Sequence, residues 1–122
     1  MQHLFVPYEL AKQLKEKGFN EMCMATHYHK GQTFLMHSSK NDEPAFSELN
    51  SPACSAPLYQ QVVDWFREKH ELRISVDFDK AVNKWFGKIN GPLVRDILGF
   101  TDDKNTHYEA LTKAIEEALK LI

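Results

Sequence analysis

Apolar residues recur every three or four positions in three stretches of the chain, and each stretch predicts an amphipathic helix. In "APLYQQVVDWFREKH", residues 56–70, Leu58, Tyr59, Val62, Val63, Trp65 and Phe66 fall within one arc of about 160° on a helical wheel, and Gln60, Gln61, Asp64, Arg67, Glu68 and Glu71 fill the other side. Tyr59, Trp65 and Phe66 therefore read as a buried stripe and not as a binding platform, with Trp65, at the edge of the arc, the most exposed of the three. Ser55 is placed to cap this helix and Pro57 to occupy its first turn. Residues 106–122 open on a T-x-x-E capping box, Thr106 and Glu109, ahead of an apolar face of Tyr108, Leu111, Ala114, Ile115, Ala118, Leu119 and Ile122. Glu109 with Lys113 and Glu116 with Lys120 are spaced as i,i+4 ion pairs on its outer face. A shorter helix starts at Pro7, carries Leu10, Ala11 and Leu14, and is ended by Gly18.

Alternating patterns between these helices predict two β-hairpins, 21–28 with 33–38 around "HKGQ" and 72–78 with 82–89 around "DKA". The expected fold is a single α+β domain over residues 1–122 in the order α-β-β-α-β-β-α, its antiparallel hairpins packed against helices. A shift of 52 positions sets Leu10 on Val62, Ala11 on Val63, Leu14 on Phe66, and Met22 and Met24 on Ile74 and Val76. That match suggests an αββ unit used twice, at 5–38 and 56–89, with the helix 106–122 after it. Two stretches fit less well. "SSKNDEPAFSELNSPACS", 38–55, is long for a connection, which marks it as functional, mobile, or the home of a short helix around 46–49. In "NGPLVRDILGFTDDKN", 90–105, Leu93, Val94, Ile97 and Leu98 stand at helical spacing and predict a short helix.

A chain of 122 residues with 43% hydrophobic content can bury a core without disulfides or metal. Fifteen basic against 17 acidic residues leave no global basic field to hold a polyanion or an anionic membrane. Cys23 and Cys54 have neither ligand spacing nor a disulfide framework, which suits a reducing compartment. The start lacks a basic segment followed by a long apolar run, and no apolar run reaches the ~18 residues of a membrane span. The expectation is a cytoplasmic protein with no membrane partner.

Three segments, "YELAKQLKEKGF", "YQQVVDWFREKH" and "YEALTKAIEEALKLI", together resemble a family of small uncharacterised proteins encoded by phages, prophages and related mobile elements of bacteria. The resemblance covers about a third of the chain. It implies a mobile-element origin and a shared fold, and it brings with it neither an activity nor a catalytic residue.

The side chains that could carry chemistry are few. His27 and His29 in "THYH" share one face of a strand, but Cys23 on that face lies ~13 Å along it and His37 falls on the other face, so no third ligand completes a metal site. The pair reads as surface histidines near a turn. Cys54 precedes a helix N-terminus, which favours a thiolate, yet no histidine is placed to serve it, and it reads as an inert, exposed loop thiol. Asp77 with Asp79 and Asp102 with Asp103 fall at turns, where aspartate is favoured for its backbone hydrogen bonds. No catalytic residue, metal or cofactor is expected, and the leaning is away from an enzyme.

Nucleic acid has one candidate surface. Strand alternation puts Lys80, Lys84 and Lys88 on one face with Phe86 between them, and Arg73 on the neighbouring strand, an arrangement able to neutralise and stack a single strand. Asp77 and Asp79 share the Arg73 face and weaken it. The favoured reading is a non-enzymatic accessory protein that binds another protein or itself. It is supported by a first hairpin apolar on both faces, Cys23, Ala25, Phe34 and Met36 on one and Met22, Met24 and Leu35 on the other.

Overall fold

The computed structural model of the protein describes residues 4–28, 33–41, 52–92 and 97–122. Its elements run α1 (Tyr8–Glu16), β1 (Cys23–Tyr28), β2 (Thr33–Ser39), β3 (Pro52–Ser55), α2 (Tyr59–His70), β4 (Arg73–Asp79), β5 (Lys84–Asn90), β6 (Ile97–Phe100) and α3 (His107–Leu119). The fold is α+β, and the described residues contain three helices, the strands of both hairpins and two strands beyond the expected order, β3 and β6. Contacts divide the chain into two compact units, Met1–Gln61 and Val62–Ile122, with the boundary inside α2. Among the described residues no helix is long and apolar enough to cross a membrane.

In the first unit Pro7 stands at the N-cap of α1, and Leu10, Ala11 and Leu14 are its buried face. The helix closes in a Schellman arrangement. Gly18 takes a left-handed φ of 95° and donates to Lys15 O, and Phe19 N–H donates to Leu14 O at 2.9 Å. Leu14 and Phe19 are both fully buried and supply the apolar contact that accompanies this closure. The sheet has the order β2-β1-β3, antiparallel throughout, and α1 packs across β3. Asn41 ties the segment before β1 to the end of β3, its Nδ2 donating to Phe19 O at 2.6 Å and its Oδ1 accepting from Ser55 N–H at 2.8 Å. Residues before α1 are zipped to residues before α2: Val6 N–H donates to Pro57 O, Tyr59 N–H to Leu4 O, and Phe5 bridges Leu58.

This pairing corrects two sequence expectations. Ser55 is the last residue of β3 and not the cap of α2, and Pro57 lies outside the helix. The first turn of α2 is held instead by Gln61, whose Oε1 accepts from Leu58 N–H at 3.0 Å, half of a capping box. The tract 38–55 resolves at its C-terminal end into β3, while the short helix expected around 46–49 lies outside the described residues.

In the second unit Val62, Trp65 and Phe66 are the buried stripe of α2, and Trp65 is only 5% exposed, against the expectation from its place on the arc. Its ring packs edge-on against Phe66 and His70, which closes it off from water. The helix ends at Glu71, whose φ of 56° is left-handed, and Leu72 N–H returns to Phe66 O. The sheet has the order β4-β5-β6 and pairs Arg73 with Asn90 through Asp79 with Lys84. Ile74 and Ile89 bury toward α3, and Thr106 caps that helix as its sequence predicts, accepting from Glu109 N–H at 3.1 Å. Lys113 and Lys120 both pair with Glu117, and Lys113 also with Glu116, in place of the expected Glu109–Lys113 and Glu116–Lys120 pairs. The helix expected in 90–105 is contradicted at Ile97 and Leu98, since 97–100 is a strand antiparallel to β5, while Leu93 and Val94 lie outside the described residues; Trp85 and Lys104 exchange both backbone hydrogen bonds beyond the strand.

Candidate functional site

The face of the second sheet turned away from α3 contains four of the five residues expected of a nucleic-acid surface. Arg73, Ser75, Asp77 and Asp79 of β4 stand opposite Asn90, Lys88, Phe86 and Lys84 of β5. Lys80 does not join them, because β4 ends at Asp79 and Lys80 begins the turn, exposed. Each of the other three cations is engaged, one across the sheet and two with residues beside it. Lys88 Nζ lies 3.6 Å from Asp77 Oδ2, Lys84 Nζ donates to Asn105 Oδ1, and Arg73 Nη2 donates to Gly91 O at 3.2 Å. Phe86 is half-buried with its ring 6.0 Å from that of Phe100. Three cations on this face meet two carboxylates, so it holds only a weak positive excess for a phosphate backbone.

The strand that sequence patterning read as a helix carries the largest apolar exposure of the second unit. In β6 Ile97 is 52% exposed, Leu98 49% and Phe100 58%, and nothing lies within 4 Å of where a Cβ on Gly99 would stand. β6 is an outer strand of its sheet and has no charged residue, whereas the opposite outer strand, β4, carries Arg73, Asp77 and Asp79. Charges on an outer strand discourage further pairing, and a bare apolar edge invites it. The signal was present in the sequence: "ILGF" is a short uncharged run without a polar face, which fits a strand as well as a helix turn. In the first unit Met22 and Met24 are 49% and 45% exposed while Cys23 and Ala25 are buried, so the two apolar sides differ along β1 and the residue before it.

His27 and Cys54, cross-strand neighbours of β1 and β3, are both buried, which corrects their reading as surface and loop residues. His29 lies outside the described residues. The ring of His27 meets Tyr8 edge-on, and its Nε2 is 2.7 Å from Val6 O. A carbonyl can only accept, so Nε2 carries the proton. Burial lowers the pKa of His27 below its ordinary value, against a smaller opposing effect of the Val6 bond. Burial likewise pushes the Cys23 thiol up to about 12 and that of Cys54 to about 11, leaving two protonated, poorly nucleophilic thiols.

These shifts fix the direction of the pH dependence. Unfolded His27 takes up a proton at higher pH than folded His27, so stability is full above about 6.5 and declines as pH falls below it. The unfolded thiols ionise near the ordinary value of 9.0 while the folded ones do not, so stability also declines as pH rises beyond 9.0 toward 11 and 12. Urea midpoints at pH 5, 7.5 and 10 should be highest at 7.5, and His27→Gln should narrow the gap between pH 5 and 7.5. An unchanged gap would remove His27 as the cause.

An open cleft of about 220 Å³ is lined by Arg67, Glu71, Arg73, Gly91 and Pro92. Its two guanidinium groups are already engaged, Arg67 with Asp64 at 3.2 Å and Glu68 at 3.7 Å and Arg73 with Gly91 O, which leaves little to recognise an anion. Among the described residues no three His, Cys, Asp or Glu side chains gather as a metal would require. Comparison with family models, curated proteins and solved structures gives no match to this chain.

Proposed function

We propose that this chain is a non-enzymatic accessory protein that acts by binding protein along the open edge of its second sheet. The observation that supports this reading is β6, an outer strand whose Ile97, Leu98 and Phe100 face solvent without a charge among them. An apolar strand edge offers main-chain hydrogen bonds and side-chain pockets together, the two components of strand-addition binding. A setting in a phage or other mobile element fits the resemblance of its helices to proteins of that origin.

Single-stranded nucleic acid is the alternative, resting on Arg73, Lys84, Phe86 and Lys88. The Asp77–Lys88 pair and Asp79 opposite Lys84 argue against it, because a phosphate backbone would have to compete with carboxylates already in place. Two measurements test the proposal. A photo-crosslinking phenylalanine analogue placed at Phe100 should give protein adducts in cells, and one at exposed Glu68 should not. Labelled oligonucleotides titrated at two salt concentrations should show only weak association, with no change of salt slope when Arg73, Lys84 and Lys88 become glutamine. Micromolar binding that depends on those three residues, or an absence of protein adducts at position 100, would overturn it.

A further inference from the structure

We draw no further inference here: the strongest candidate, the aromatic patch beside the β4–β5 turn, where the ring of Trp85 packs against those of Phe78 and His107 and all three reach the surface, carries nothing because no feature of the structure shows what covers it.

Discussion

Phe66→Ala is expected to lower the free energy of unfolding by about 3 to 5 kcal/mol. The ring is fully buried, sits 5.0 Å from Trp65 in an edge-on pair, and belongs to a residue whose carbonyl accepts from Leu72 N–H at the end of α2. Truncation would leave a cavity on the scale of a phenyl ring, and a loss of this size is a large share of the roughly 5–15 kcal/mol that holds a domain together. Phe66→Leu, which fills part of the space, should cost less than about 1.5 kcal/mol. Urea melts of both variants provide the comparison. Parental stability in Phe66→Ala would mean that the stripe faces solvent and would return the three aromatics of α2 to consideration as a binding platform.

The second large effect concerns Gly87, where α3 comes closest to the sheet. A Cβ added there would stand 2.6 Å from Ala114 Cβ, 3.0 Å from Ala110 O and 3.2 Å from Thr101 Cγ2. Two of these neighbours belong to the buried side of a helix and cannot swing away, so the helix or the strand must shift. Gly87→Ala should therefore cost about 3 kcal/mol, at the upper end of overpacking effects. Gly99→Ala, with nothing in its way, should change stability by less than about 0.5 kcal/mol. Ala114→Gly alone should cost about 1 kcal/mol through helix propensity, yet in the Gly87→Ala background it should restore stability by removing the nearest clash. A double variant whose loss is the sum of the two single losses would show that Ala114 is not the atom that matters.

The elements visible in the sequence were those specified within a few residues of themselves. Thr106 with Glu109, Pro7 with Gly18, and the stripes of α1, α2 and α3 are local signals, and each is a feature of the fold. β3 and β6 were missed because a strand exists only with its partner. "PACS" has little strand propensity of its own and is strand because Thr26 and His27 pair with it. "ILGF" satisfied a helical spacing with Leu93 and Val94, and pairing with β5 decided its state over that pattern. The shared strand face of Arg73, Lys84, Phe86 and Lys88 was legible in the sequence, and the reading failed at Lys80, where the strand ended one residue earlier than alternation assumed. The ion pairs across β4 and β5, and the exposure of β6, follow from register and edge position, which no single segment encodes.

The tie between the residues before α1 and those leading into α2 bears on the order in which this part of the chain can fold as it is made. Val6, fully buried, needs Pro57 O for its N–H and offers its carbonyl to His27, so the segment ahead of α1 cannot settle until Pro57 exists. At ordinary synthesis rates the 51 residues from Pro7 to Pro57 take roughly 3 to 10 seconds to add. During that interval α1 has no β3 to rest on, while the β1–β2 hairpin, made of near neighbours, can already close. The stripe of Val6, Leu10, Ala11 and Leu14 thus stays without its β3 cover until Pro57 has been added.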